Sequence, residues 1–391
     1  MIRSILPFLV SKLTVTTGKN WWLTALIWLA AIAPATALDL RVAIQQNVKQ
    51  INVGSSTKAI VRDESGRALG EIQGMNGFTA QAKGGSVALD RWNGGAIWVE
   101  PTAGGVVWVG DRWYRGRALL VRTGSGLTAV NYVDLEHYLY SVLGSEMNGN
   151  WPQEALKAQA VAARSYALYQ RQSANAVFDV GDTDSWQVYT GVDRESVGTQ
   201  MAVEATKGQV IIHNGRIINA VFHSSSGGCI DNVEEVWMQA LPYLRTKKDY
   251  DQGAPVYQWS KPFSRDQLSR RVTGVGEVLS MEPERVTTCG RIVSMRVKGD
   301  KGVRSVSGDA LRAALDLRST FFSVSPQGGQ ATKSNSKPSP LSFVVNGKGF
   351  GHGLGLSQYG AYNLATQQRW NYQQIVLYYY DKTTLAKIEV K

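Results

Sequence analysis

The chain has 391 residues, of which 43% are hydrophobic, and a formal net charge of +11. This length suits one large domain or two to three smaller ones. The positive charge favours an anionic partner such as a bacterial cell wall or membrane headgroups. Because no nucleic-acid-binding motif is recognisable, we expect no nucleic acid partner.

The first 37 residues read as a secretory signal. Their charged residues are all cations, Arg3, Lys12 and Lys19. An apolar run over residues 21–33 precedes an A-T-A site, which predicts cleavage after Ala37 and a mature net charge of +8 (11 minus 3). A retained anchor is the alternative, but the run is shorter than the ~20 residues that span a bilayer. We therefore expect an exported protein, periplasmic or in the cell wall or outside the cell, without a stable membrane span.

Residues 38–128 predict a β-rich region. Short runs rich in Val, Ile, Trp and Tyr, such as 96–99 and 105–109, alternate with Gly and Ser. This spacing is typical of antiparallel strands. No internal repeat is evident.

Residues 133–172 predict two helices separated by a break rich in Gly and Asn. Leu135, Leu139 and Val142 recur at helical spacing, and Gly144 is expected to end the first helix. Pro152 suits the first turn of the second helix, which is expected to end near Gln172.

The remaining chain mixes both kinds of element. Asn214 and Gly215 lie between apolar runs, which predicts a tight hairpin. Further helices are predicted over 264–272, 308–315 and 357–366. A stretch rich in Gly, Ser, Gln, Lys and Pro near 325–340 predicts a flexible insert. Together these elements indicate an α+β fold of helices and antiparallel strands.

The two cysteines, Cys229 and Cys289, leave two interpretations open. They form one disulfide in an oxidising compartment, or they are two buried free thiols. The cysteines and the four histidines show no metal-ligand spacing, so we expect no metal. The histidines are His137, His213, His223 and His352.

Glu146 is the first candidate for chemistry. It lies in the break between the two helices, where an irregular backbone near the surface is expected. A carboxyl that donates a proton at neutral pH needs a raised pKa, which partial burial beside Met147 and Trp151 would provide. A solvated loop glutamate is the alternative.

Two pairs of polar side chains are further candidates. Lys157 and Arg164 are two helical turns apart, on one face of the second helix, although two solvated cations are the commoner case. Gln187 and Tyr189 would share one side of a strand and suit sugar recognition. The alternative for this pair is turn residues with a half-buried tyrosine.

Two glycine-rich loops complete the pattern. Residues 222–229 hold His223, Ser224 and Ser225 after a strand, but the G-x-S-x-G elbow of a serine nucleophile is absent. Residues 347–355 have glycine at every second position around His352, which predicts a compact turn of unusual backbone geometry.

Taken together, these segments resemble the SpoIID/LytB family, which includes the sporulation protein SpoIID and the amidase enhancers. The shared motifs are L-E-x-Y-L at 135–139, S-E-M at 145–147, W-P-x-E-A-L-K-A-Q-A-V-A-A-R at 151–164, Q-V-Y at 187–189, H-S-S-S-G-G at 223–228 and G-H-G-L-G-L-S-Q-Y-G-A at 351–361. They occur in family order over most of residues 38–391.

The resemblance implies a peptidoglycan lytic transglycosylase that acts on glycan strands lacking stem peptides. It implies that Glu146 is the single catalytic residue and that the elements surround a glycan-binding cleft. The expected substrate-binding residues are Lys157, Arg164, Gln187, Tyr189, His223, Ser224, Ser225, His352 and Gln358. The expected division is a signal peptide (1–37), a β-rich region (38–128) and a SpoIID-like catalytic domain (129–391).

One departure from the family bears on metal binding. Some members bind zinc through cysteines that flank the loop before Q-V-Y, where this chain has Gly181 and Trp186, so we expect neither zinc nor another cofactor. The expected partners are peptidoglycan glycan strands and an N-acetylmuramoyl-L-alanine amidase. The alternative function is a non-catalytic wall-binding protein that enhances an amidase.

Overall fold

The computed structural model describes residues 38–237, 239–328 and 340–388. The predicted signal segment therefore lies outside the described residues, as does most of the predicted insert, of which residues 325–327 belong to a strand. The described chain contains both helices and mainly antiparallel strands, which confirms the α+β class. No helix in these ranges is long and apolar enough to cross a membrane.

The first part of the described chain is a series of short strands. They are β1 (Asp39–Val48), β2 (Gln50–Ser55), β3 (Ala59–Asp63), β4 (Ala68–Ile72), β5 (Gly77–Lys83), β6 (Ser86–Leu89), β7 (Trp92–Gly94), β8 (Ala96–Pro101), β9 (Val107–Val109), β10 (Arg112–Tyr114), β11 (Arg117–Thr123) and β12 (Gly126–Asp134). They form a six-stranded sheet in the order β10-β9-β2-β5-β6-β7 and most of a seven-stranded sheet in the order β13-β1-β12-β11-β8-β3-β4, where β13 is Val180–Gly181. Alternate residues of each sheet, such as Ile51 and Val53, are buried in one core.

Two hairpins in this region share the triplet D-R-W, at 90–92 and 111–113. Trp92 follows a two-residue turn, pairs with Leu89 and is buried. Trp113 ends the second D-R-W, but there the two turn residues are Gly110 and Asp111, so the turn begins one residue before the triplet and Trp113 pairs with Trp108. A shift of one residue moves a side chain to the other face of a sheet. The first tryptophan therefore points into the core and the second points away from it.

Two helices follow, α1 (Leu135–Glu146) and α2 (Gln153–Gln172). Asp134 caps α1 by accepting the N–H groups of Glu136 and His137. The prediction that Gly144 ends α1 is wrong, because the helix continues to Glu146. A Cβ on Gly144 would lie 1.7 Å from the carbonyl oxygen of Arg194, so glycine there allows a close approach between chain segments. The predicted end of α2 at Gln172 is confirmed.

The middle of the chain packs onto these helices. Its elements are a 3₁₀ helix (Gly191–Arg194), α3 (Val197–Ala205), β14 (Gln209–His213), β15 (Arg216–Ile217), β16 (Phe222–His223), β17 (Cys229–Ile230), α4 (Val233–Val236) and β18 (Lys247–Lys248). The predicted hairpin is confirmed, since His213 pairs with Arg216 across Asn214 and Gly215. Both turn residues have positive φ, at 49° and 74°, as a type I′ turn requires.

A second hydrophobic core follows. Its elements are β19 (Gln258–Ser264), α5 (Arg265–Arg271), β20 (Val278–Val286), β21 (Ile292–Gly299), β22 (Gly302–Ser307), α6 (Gly308–Leu315), β23 (Phe322–Gln327) and β24 (Ser342–Lys348). The helices α5 and α6 were predicted. They pack with three-stranded sheets around residues such as Leu268, Leu311 and Phe343.

The chain then returns to the first core. Its last elements are β25 (Leu356–Ser357), α7 (Gln358–Gln367), α8 (Tyr372–Tyr379) and β26 (Thr384–Lys387). β25 pairs in parallel with β16, and β26 pairs with β14. The C-terminal motif is thus brought against the middle of the chain.

Candidate active site

The carboxylate of Glu146, at the end of α1, receives hydrogen bonds from two distant segments. The backbone N–H of Val188 donates to Oε1 at 3.2 Å, and the amide of Gln358 donates to Oε2 at 3.2 Å. The residue as a whole is partly exposed. Burial raises its pKa above 4.5, the two hydrogen bonds oppose that rise, and nearby Asp184 adds to it. This carboxyl therefore retains a proton to higher pH than a free glutamate.

Gln187 and Tyr189 hold the backbone of this site rather than face solvent. They lie in an extended segment that is not a strand, and both side chains are buried. Tyr138 donates a hydrogen bond to Gln187 at 3.1 Å, and Tyr189 donates one to Asn131 at 2.8 Å. The prediction that this pair presents a sugar-binding strand face is corrected accordingly. The two side chains fix the segment whose Val188 N–H reaches Glu146.

Gln358 is positioned by the parallel pairing of β25 with β16. The register places Ser357 beside His223, and Ser357 caps α7 by accepting the N–H of Gly360 at 3.2 Å. Gln358, the first residue of α7, is 4% exposed. The motifs at 223–228 and 351–361 together place this amide on the carboxylate.

A groove of about 610 Å³ runs along α7. Its walls come from the start of α2, the loop after Asp251 and α7, and they include Trp151, Pro152, Gln252, Tyr359, Tyr362 and Asn363. The Trp151 ring lies 4.9 Å from that of Tyr359 and 5.1 Å from that of Tyr362. The same helix thus supplies an amide to Glu146 and two aromatic rings to this groove.

Lys157 and Arg164 have different environments although they share a face of α2. Lys157 is partly exposed and pairs with Glu154 at 2.7 Å. Arg164 is fully buried and pairs with Glu136 at 2.5 Å, and it also donates to the carbonyl oxygen of Gln209 at 3.1 Å. A guanidinium so enclosed offers no donor to a ligand. Arg164 is therefore corrected from a substrate-binding residue to a structural one that joins α1, α2 and β14.

The serine loop at 223–228 covers a pair of buried carboxylates. Ser225 donates to Asp251 at 2.5 Å, and Ser226 donates to Asp249 at 2.6 Å. Burial and the neighbouring Asp251 raise the pKa of Asp249 to about 6. Ser225 is fully buried, so its predicted contact with substrate is also corrected. Ser224 is partly exposed.

The glycine turn has the unusual geometry that was predicted. Gly349, Gly351, Gly353 and Gly355 all have φ between +64° and +114°. A Cβ on Gly353 would lie 2.2 Å from the guanidinium of Arg291, which is buried beneath the turn and paired with Asp231 at 3.0 Å.

The two histidines of these loops are neighbours. The rings of His223 and His352 lie 5.3 Å apart, and His223 Nδ1 bonds the carbonyl oxygen of Leu354 at 2.9 Å. Burial, followed by the Arg291 charge, lowers the pKa of His352 to about 3. Burial also lowers the pKa of His223 well below its usual range. Both rings are therefore neutral.

A disulfide joins Cys229 to Cys289, which decides between the two interpretations of the cysteines. It ties the end of the serine loop to the second core. Among the described residues no group of three or more His, Cys, Asp or Glu side chains is placed to hold a metal. Gly181, one of the two positions considered above for zinc, lies against the ring of the other, Trp186.

Sequence reasoning missed the two groups that hold Glu146. The Val188 contact comes from a backbone N–H, which no residue type signals. Gln358 was expected to bind substrate and instead bonds the carboxylate. The aromatic residues of the groove lie within the family motifs quoted above. Their positions in the strings W-P and Q-Y-G-A were the signal in the sequence that could have identified them as groove residues.

Comparisons with known proteins agree with these motifs. The family model SpoIID, described as stage II sporulation protein, matches residues 123–213, and a domain of unknown function (DUF8618) matches residues 232–355. Stage II sporulation protein D of Bacillus subtilis (strain 168) is 30% identical over 67% of this chain and 77% of its own length. The chain belongs to the SpoIID/LytB family.

Two further relatives match this chain. An uncharacterized protein of Brachyspira hyodysenteriae (strain ATCC 49526 / WA1) is 31% identical over 68% of this chain and 71% of its own length. The amidase enhancer of Bacillus subtilis (strain 168) is 30% identical over 63% of this chain, but the match covers only 40% of that protein. The SpoIID match contains Glu146, whereas residues 38–122 lie outside both matched ranges.

Proposed function

We propose that this protein is an exported peptidoglycan lytic transglycosylase in which Glu146 is both acid and base. Its carboxyl gives a proton to the glycosidic oxygen between N-acetylmuramic acid and N-acetylglucosamine, and the C1–O bond breaks. The muramic C6 hydroxyl oxygen then bonds to C1 and returns its proton to Glu146. The product is a 1,6-anhydro sugar, and no water is consumed.

The observation that carries the proposal is the environment of Glu146. Burial favours the protonated form that the first step requires, and the Val188 and Gln358 donors stabilise the carboxylate that the first step leaves behind. Glu146 is nevertheless partly exposed, and the proposal requires that one carboxylate oxygen reach the substrate. One group is thus suited to both proton transfers.

The positions of Glu136 and Asp134 exclude them as the second carboxyl of a hydrolase. A hydrolase needs a second carboxyl within about 5–10 Å of the acid. Glu136 lies ten residues away on α1, which is about 15 Å, and it is bound to Arg164. Asp134, which caps the far end of α1, is more distant. Asp182 and Asp184, in the segment before Val188, are the carboxylates that the experiment must separate from Glu146.

The groove along α7 is the proposed glycan cleft. Trp151, Tyr359 and Tyr362 provide aromatic rings for sugar rings to stack on, and Asn363 and Gln252 provide hydrogen-bonding groups. Lys157, at 24% side-chain exposure, would attract the lactyl carboxylate of a muramic acid residue.

A second candidate function is that of a non-catalytic wall protein that stimulates an N-acetylmuramoyl-L-alanine amidase. The relative named amidase enhancer favours it. In this case the chain would bind glycan through the same groove, and Glu146 would serve only to bond Val188 and Gln358.

The experiment compares the parent with Glu146→Gln on peptide-free glycan strands, with the products identified by mass spectrometry. We expect anhydro-muramic ends from the parent, a loss of at least ~10³-fold in rate in the variant, and glycan binding in both. Asp182→Asn and Asp184→Asn are the matched carboxylate controls. Reducing ends in place of anhydro ends would show a hydrolase, and an inactive parent that binds glycan would favour the amidase enhancer.

A further inference from the structure

The outer face of the six-stranded sheet carries amide, hydroxyl and indole groups in register. Gln50 pairs with Gln81, and Asn52 pairs with Thr79, on the neighbouring strands β2 and β5. Trp108 and Trp113 pair on β9 and β10 at one edge. These six residues are here called the amide face. The four polar side chains are exposed and the two tryptophans are partly exposed.

Trp108 lies across two strands because both have glycine beneath it. A Cβ on Gly77 would lie 3.0 Å from the indole, and one on Gly54 would lie 3.4 Å from it. Glycine in a strand weakens a sheet. The two glycines are explained by the indole, which occupies the space that their Cβ atoms would need. The glycines leave room for the indole, whose Cζ3 edge lies nearest to Gly77. Trp113 extends this apolar platform, with its ring centroid 6.5 Å away.

The amide face differs in charge from the outer face of the companion sheet. On the seven-stranded sheet Arg62 and Arg117 both pair with Glu100, at 2.7 Å and 2.9 Å. The six residues of the amide face carry no ionised side chain. Lys83 lies at the end of β5, and Asp111 and Arg112 pair with each other in the hairpin beside Trp113. In a chain of net positive charge, a patch without charge suits an uncharged partner.

We propose that the amide face is a second glycan-binding site, which holds an uncharged stretch of N-acetylated sugar chain. The partly exposed tryptophan rings would contact the C–H face of a pyranose ring. Gln50, Asn52 and Gln81 each offer both a donor and an acceptor, which suits acetamido and hydroxyl groups. The ligand class rests on the proposed function, but the face lies outside both matched family ranges and does not involve Glu146.

The test uses the full chain carrying Glu146→Gln, titrated calorimetrically with chitohexaose as a neutral N-acetylated probe. We expect two classes of site in this protein. Trp108→Ala and Gln81→Lys should each weaken one class at least ~10-fold, since aromatic anchors dominate such contacts. Gln81 is exposed, so Gln81→Lys should leave the fold intact. Weaker binding by this variant therefore cannot be attributed to unfolding, whereas weaker binding by Trp108→Ala alone could be.

The matched control is Trp98→Ala, which removes a tryptophan from the charged outer face, where it lies beneath Arg117. It should leave both classes within about twofold. If Trp108→Ala and Gln81→Lys bind chitohexaose as the Glu146→Gln protein does, the inference is overturned. A parent that makes no anhydro product would refute the proposed function alone, because the binding comparison does not depend on cleavage.

Discussion

At the scale of single residues, the balance of forces on Glu146 decides what the site can do. Its two hydrogen bonds favour the carboxylate, yet burial outweighs them and the pKa rises. Its place at the C-terminus of α1 acts in the same direction, since the helix dipole is negative there. The ionised form of Glu146 is therefore unfavourable in the folded protein. This cost should be measurable as a change in protein stability, without any substrate.

Glu146→Gln should therefore stabilise the protein at neutral pH. Because the pKa of Glu146 is raised on folding, its contribution to stability is complete below the ordinary value of 4.5 and is lost as the pH rises through the folded value. The amide does not titrate. We expect a melting temperature roughly 1–3 °C above that of the parent at pH 8 and no difference at pH 4.

Calorimetric unfolding of both proteins at the two pH values checks this expectation. Glu282→Gln, at an exposed position of β20, is the matched control. A parent that melts higher than Glu146→Gln at pH 8 would show that the two hydrogen bonds, rather than burial, control this carboxyl.

At the scale of elements, glycines allow close approaches that side-chain patterns do not reveal. Gly144 lies within α1, where glycine costs about 1 kcal/mol relative to alanine. The carbonyl of Arg194, in the 3₁₀ helix, occupies the space that a Cβ would need. The contact therefore holds the end of α1, and with it Glu146, against the segment that begins after Thr190.

Gly144→Ala should destabilise the protein despite its gain in helix propensity. The added Cβ would lie 1.7 Å from the Arg194 oxygen, which the backbone must move to relieve, and such overpacking typically costs about 1–3 kcal/mol. Denaturant unfolding measures the change. Gln172→Ala, at the end of α2, should alter stability by less than ~0.5 kcal/mol, and an equally neutral Gly144→Ala would contradict the described approach.

At the scale of the whole molecule, the serine loop, the glycine turn and the second core meet around one buried polar cluster. Arg291, from the second core, pairs with Asp231 and donates to the Ser226 carbonyl oxygen at 2.5 Å. The disulfide from Cys229 closes the same junction. The neutral His223 and His352 lie beside this cation, so protonating either ring would oppose folding.

Replacement of His352 should make the protein less sensitive to acid. A lowered pKa contributes stability that is complete above the ordinary value of 6.5 and is lost as the pH falls toward the folded value of about 3. His352→Asn, which retains an acceptor for the Leu354 N–H, should flatten the loss of stability between pH 6.5 and 4. Thermal unfolding across this range measures how stability changes with pH. His137 is exposed, so His137→Asn is the control and should show the same pH dependence of stability as the parent.

The sequence identified most of the elements that carry local signals. The hairpin at Asn214 and Gly215 was predictable because a type I′ turn needs residues that tolerate positive φ. The helices at Arg265–Arg271 and Gly308–Leu315 follow capping serines. The glycine alternation before Leu356 likewise required an irregular turn. Each of these depends on a few adjacent residues.

Only the tertiary structure decided which side chains are buried and which groups contact one another between distant segments. Arg164 and Lys157 share a helix face, and only packing buries the first and exposes the second. Trp92 and Trp113 end the same D-R-W triplet, yet Trp92 is buried and Trp113 is partly exposed. The two hairpins differ in register by one residue, which places the two side chains on opposite faces of the sheet. The Val188 N–H on Glu146 has no signature in the sequence. Local patterns determine the conformation of a segment, whereas burial and charge environment depend on which segments the fold brings into contact.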